Sequence, residues 1–111
     1  MSHYTPPNHD MSFVLFDVLN AQKLADIQRY SEATEEMQRA ILEEAGKMAE
    51  QVLLPINESG DREGCNYDPE THSVKTPKGF PEAYKTYQQG GWTGLSAEPE
   101  FGGKVYRTCL K

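Results

Sequence analysis

The residues best equipped for chemistry are carboxylates: Glu43, Glu44 and Glu50 in a Glu-rich stretch, with Asp61 and Glu63 in the polar run NESGDREG. Paired carboxylates perform acid–base work when burial and neighbours hold their proton affinities apart. The plainer reading here is a solvated helix face followed by a polar loop. NESGDREG also lacks the regular ligand alternation of an EF-hand, so calcium is not expected. His3, His9 and His72 share no helical face. Cys65, beside Gly64, has no base tied to it and reads as a small packed side chain rather than a reactive thiol. Phe80, Tyr84, Tyr87, Trp92 and Phe101 would stack a planar ligand if gathered, yet the first three have the spacing of core contacts along a helix. Gly102-Gly103 does not make the G-x-G-x-x-G phosphate fingerprint and follows no predicted strand. The residues thus assign no catalytic, cofactor-binding or metal-ligating position.

The totals narrow the class. A chain of 111 residues makes at most one domain, able to bury roughly two-thirds of its unfolded surface. A net charge of −6 argues against a binder of nucleic-acid phosphates, which would need clustered Lys and Arg. It equally disfavours an anionic membrane surface. No apolar run approaches the roughly 20 residues of a membrane span. MSHYTPPNHDMS has neither the basic nor the apolar region of a secretory signal. Cys65 and Cys109 form no CxxC pair, which suits free thiols in a reducing compartment. A cytoplasmic protein is expected.

The elements that would carry these residues are helical. Residues 1–9 read as an extended lead-in, with Asp10 capping a first helix that is apolar on most sides through Phe13, Val14, Leu15, Phe16, Val18 and Leu19, and therefore buried. Asn20 ends it, and AQKLADIQRY continues as a short turn or helix. Thr34 is an N-cap, with Glu35 and Glu36 in a first turn whose dipole favours them. Met37, Ala40, Ile41, Met48, Ala49, Val52, Leu53 and Ile56 recur at helical spacing. Pro55 is expected to end that helix of about 20 residues. Asp68-Pro69-Glu70-Thr71 lies between CNY and HSVKT, a small hairpin near 65–76. Pro81 suits the first turn of a further helix, which Gly90 and Gly91 stop. Trp92 and Leu95 then pack against a helix. The fold class is all-α: one long amphipathic helix with shorter helices around it and the small hairpin.

The order of segments adds to this. TPPNHDMSFVLFDVL, AILEEAGKMAEQVLLPIN, SGDREGC, TPKGFPEAY, GGWTGL and PEFGG together resemble the amino-terminal region of bacterial acyl-CoA dehydrogenases, in the subgroup that includes the 3-methylmercaptopropionyl-CoA dehydrogenases. The likeness runs over about residues 4 to 103. It implies a flavoprotein family that oxidises an acyl-CoA thioester to the 2-enoyl-CoA. A glutamate base takes the alpha proton while the beta hydride passes to FAD. In that family a β-rich middle domain supplies much of the flavin site and a helical carboxy-terminal domain carries the base. The resemblance therefore carries no catalytic or FAD-binding residue onto this chain. It implies a truncated amino-terminal helical region at 10–103, scaffold without chemistry and inactive alone. The alternative is a small independent helical interaction module.

Residues 104–111 depart from the pattern. Relatives read Gly-Gly-Gln-Gly-Leu-Pro-His here, and Lys-Val-Tyr-Arg can be written AAG GTT TAC CGC. One added base gives CAA GGT TTA CCG C, which encodes Gln-Gly-Leu-Pro. A lost base after the Gly103 codon is the expectation, and a gene without dehydrogenase coding downstream in a neighbouring frame would refute it. Apolar helix faces without the rest of such an enzyme are expected to drive homo-oligomerisation.

Overall fold

The computed structural model describes residues 3–103. Helix α1 (Asn8–Ser12) runs directly into a π-type turn, Phe13–Val18. Pro7 takes the N-cap position with no side-chain cap bond, and Asp10 stands in the first turn rather than capping it. A proline just ahead of a helix is pre-set for entry, because the missing N–H would have no partner there. Asn20 breaks this element in the left-handed conformation (φ 53°), and 3₁₀ turns at Ala21–Asp26 and Gln28–Tyr30 follow.

Helix α2 (Glu35–Met48) starts as its sequence predicts: the Thr34 hydroxyl accepts from the Met37 N–H at 3.2 Å. Its end differs from the expectation. A π-type turn at Ala49–Leu53 leads without a break into α3 (Leu54–Glu63), so the rod passes through Pro55 and reaches roughly 40 Å at the usual rise. Proline normally stops a helix because its ring strikes the carbonyl four residues back. The turn ahead of Pro55 is wider than an α-turn: the Leu54 N–H bonds the Ala49 carbonyl five residues back. Asp61 and Glu63 consequently lie in a helix, not in a loop. Gly60 is buried there, and a Cβ on it would come within 2.4 Å of the Phe80 ring. The bare backbone gives Phe80 its seat.

The hairpin forms as expected. β1 (Asn66–Asp68) pairs antiparallel with β2 (Ser73–Lys75), placing Tyr67 opposite Val74. Both strands are exposed, so the turn rather than a core fixes them. Asp68 Oδ1 accepts the Glu70 N–H at 2.9 Å and the Thr71 N–H at 3.4 Å. The Glu70 N–H first, and then Thr71, hold its carboxyl below the ordinary range. A group depressed in the folded state contributes above its unfolded value, near about 4, and that contribution is lost as pH falls through the folded value. The Glu70 and Thr71 amide resonances are expected to move together over this acid window in wild type. In Asp68→Ala they should stay flat, and titration persisting in that variant would refute the assignment.

Helix α4 (Phe80–Gln89) has Pro81 in its first turn, and Gly91 takes the left-handed position after its end. Ala83 is buried, whereas Tyr84 is 63% exposed. The expected apolar side therefore narrows to Phe80, Ala83 and Tyr87, with Tyr84 one step off the contact line.

The core is small. Leu15, Phe16, Ala21 and Leu42 cluster where the amino-terminal segment crosses α2, and the Arg39 guanidinium lies 4.2 Å over the Phe16 ring. Gln38, 2% exposed, donates to the Ala33 carbonyl at 2.8 Å and the Ala21 carbonyl at 3.2 Å. That stitches the 3₁₀ segment to α2. The expected burial of Phe13–Leu19 holds only for Leu15 and Phe16; Phe13, Val14, Val18 and Leu19 are exposed, Leu19 by 60%. The reason is thickness. The molecule measures 54 × 36 × 18 Å, and its thinnest dimension is about two helices of roughly 10 Å each. Its radius of gyration is 17.4 Å, against roughly 13 Å for a compact domain of this length. A slab this thin covers one side of its amino-terminal helix and leaves the other open.

Candidate functional site

A groove of about 650 Å³ runs along α2. Met37, Ala40 and Ile41 form one wall, and Trp92 and Leu95 stand across from them. One helical face thus serves as wall while its neighbour, Gln38 and Leu42, turns to the core. Gly90 and Gly91 let the chain reverse after α4, which brings Trp92 back toward α2. Pro99 and Gly103 close one side, and Glu32 and Glu44 add two carboxylates to the lining. The segment carrying Pro99 is held from two directions: Arg29 forms an ion pair with Glu98, and the Glu98 carbonyl accepts the N–H groups of Phe101 and Gly103, each at 3.0 Å.

The candidate residues are not gathered here. Glu43 and Glu44 flank Lys47, at 3.3 and 2.6 Å. Hydrogen bonding to Glu44 and then Glu43 raises the Lys47 ammonium above its ordinary value. That is a solvated helix-face cluster. Glu63 Oε2 accepts the Lys78 N–H at 3.0 Å, a structural tie between α3 and the turn before α4. His9 sits by Asp10 on the surface, and His72 Nδ1 meets the Tyr67 hydroxyl at 2.9 Å. Cys65 is exposed, which corrects its reading as a packed side chain: the hairpin has no layer over it. Phe101 is 78% exposed, and within the aromatic set only Trp92 reaches the groove. Among the described residues, no group of three His, Cys, Asp or Glu is arranged to hold a metal. None of their helices is long and apolar enough to cross a membrane.

The groove can accept apolar chain, and its two carboxylates favour a cationic companion. It does not fit FAD. A pyrophosphate needs cations or a cradle of N–H donors, and here it would meet Glu32 and Glu44, with no Lys, Arg, Ser or Thr among the described residues of the lining. Sequence reading missed this site because its walls come from segments more than forty residues apart, roughly 32–44 and 90–103. Met37, Ala40 and Ile41 were legible as apolar helix positions, but not as a face left open.

No family model matches the chain. It is 31% identical over 103 residues to the broad-specificity linear acyl-CoA dehydrogenase FadE5 of Mycobacterium tuberculosis, a match covering 93% of this chain. It is 32% identical over 100 residues, 90% of its length, to 3-methylmercaptopropionyl-CoA dehydrogenase of Ruegeria pomeroyi. The chain spans 17% of the length of each of these relatives. The agreement of two such enzymes over nine-tenths of the sequence, together with the mostly helical fold, places the chain in the acyl-CoA dehydrogenase family.

Proposed function

We propose that this chain is the amino-terminal helical part of an FAD-dependent acyl-CoA dehydrogenase and acts as scaffold, without activity of its own. One observation carries the reading: similarity runs through nine-tenths of the chain yet spans 17% of the relatives. The thin, open fold supports it, because a slab with one side uncovered is what a piece of a larger helical layer looks like. In the whole enzyme FAD would take hydride from the acyl-CoA. This chain's part would be to hold the α2 face and the Gly90–Gly103 turn in place. A cytoplasmic setting belongs to the same reading. Purified protein is expected to carry no flavin and to leave acyl-CoA unoxidised with an artificial electron acceptor; turnover would refute the proposal.

A second reading, a separate helical interaction module, draws on the exposed residues Phe13, Val14, Val18 and Leu19. Contiguous apolar surface of this kind drives association. We infer that the isolated chain self-associates through this face, under either reading. Light scattering showing a monodisperse monomer at high concentration would contradict that.

A further inference from the structure

We propose that the segment Trp92–Gly103 is a strap that opens and closes over the α2 face of Met37, Ala40 and Ile41, hinged at Gly90-Gly91 and latched by the ion pair of Arg29 with Glu98. This goes beyond the dehydrogenase reading and does not depend on it. The segment is built as a unit. The Gly94 N–H bonds the Gly91 carbonyl, Ala97 bonds Gly94, and Phe101 and Gly103 both bond Glu98. Gly103 packs so closely that a Cβ on it would come within 2.2 Å of the Ala97 carbonyl oxygen. A segment bonded to itself can swing without breaking its own backbone bonds. Its hold on the body is light: among the described residues none after Ala83 is buried, and Trp92 and Leu95 are only half-buried where they face α2. Regions with few buried apolar contacts are the ones that open most easily. At the hinge, Gly91 is left-handed (φ 76°). A Cβ on Gly90 would come within 2.8 Å of the Trp92 indole, so the ring lies against bare backbone. The latch joins distant parts of the chain, since Arg29 belongs to the Gln28–Tyr30 turn and Glu98 lies 69 residues further on. Their side chains are 53% and 23% exposed, within reach of water and ions. A pair of this kind shifts an open–closed balance by up to roughly fivefold, and salt weakens it.

The sequence holds one tryptophan, Trp92, and it rides on the strap, so its fluorescence reports opening. Emission and acrylamide quenching of the full chain are measured under reducing conditions, from low salt to about 1 M NaCl, where charges are screened within a few ångströms. Wild type is expected to shift red and to quench more strongly as salt rises. Arg29→Ala should be red-shifted and strongly quenched already at low salt, and should change little as salt is added. Arg29→Lys, which keeps the cation, should stay close to wild type and keep its salt dependence. Should Arg29→Ala lose helicity by circular dichroism, Arg29→Gln, which retains most of the stem without the charge, takes its place with the same expectation. Equal emission and quenching of wild type and the uncharged variant at low salt overturns the proposal. A red shift in Arg29→Lys as large as in the uncharged variant also overturns it.

Discussion

Phe16→Ala is expected to unfold the crossing of the amino-terminal segment over α2. Phe16 is the largest member of a four-residue core with Leu15, Ala21 and Leu42, and Arg39 covers its ring. Truncating a buried Phe costs about 3–5 kcal/mol in a well-packed core. A native domain has a margin of only about 5–15 kcal/mol, so a loss of that size is a large share of it. Urea titration followed by circular dichroism should show the first transition moved to much lower denaturant or lost. Phe13→Ala, at an exposed site three residues away, should leave the midpoint nearly unchanged. Equal midpoints for the two variants would mean that the buried cluster is not what holds this crossing.

Val14→Lys combined with Val18→Lys is expected to abolish self-association while leaving helicity intact. The two side chains stand four residues apart in the Phe13–Val18 element and are both exposed. Charges placed there meet water in the monomer, but would have to be desolvated at a packed interface. Light scattering should move from an oligomer in wild type to a monomer in the double variant. An unchanged assembly in the variant would remove this face from the interface.

Much of the fold was legible because local chemistry decided it. Thr34 caps α2 through its own hydroxyl, Asp68 turns the hairpin by accepting two backbone N–H groups, and Pro81 and Gly91 bracket α4. Each of those signals acts over a few residues. Pro55 misled for the opposite reason: its effect depends on whether the preceding turn widens, which α-helical spacing does not encode. Burial of Phe13–Leu19 misled because hydrophobicity states what a segment prefers, not whether a partner layer is there to cover it. Gln38 was invisible for a similar reason, since a polar residue at a core position makes sense only once the Ala21 and Ala33 carbonyls are placed beside it. Of the site, the apolar residues of α2 could be read, while their pairing with Trp92 and Leu95 required the reversal after α4. The family, by contrast, was readable from the order of segments alone, because colinear motifs survive where single positions carry little chemistry.

The central claim is that the chain is dehydrogenase scaffold without a flavin site of its own. Its most direct test is the flavin content of the full chain, purified and then dialysed to equilibrium against FAD, read from visible absorbance against protein concentration. The account predicts no retained flavin, since the lining of the groove carries two carboxylates and no cation among the described residues. Flavin bound at near one per chain would contradict it.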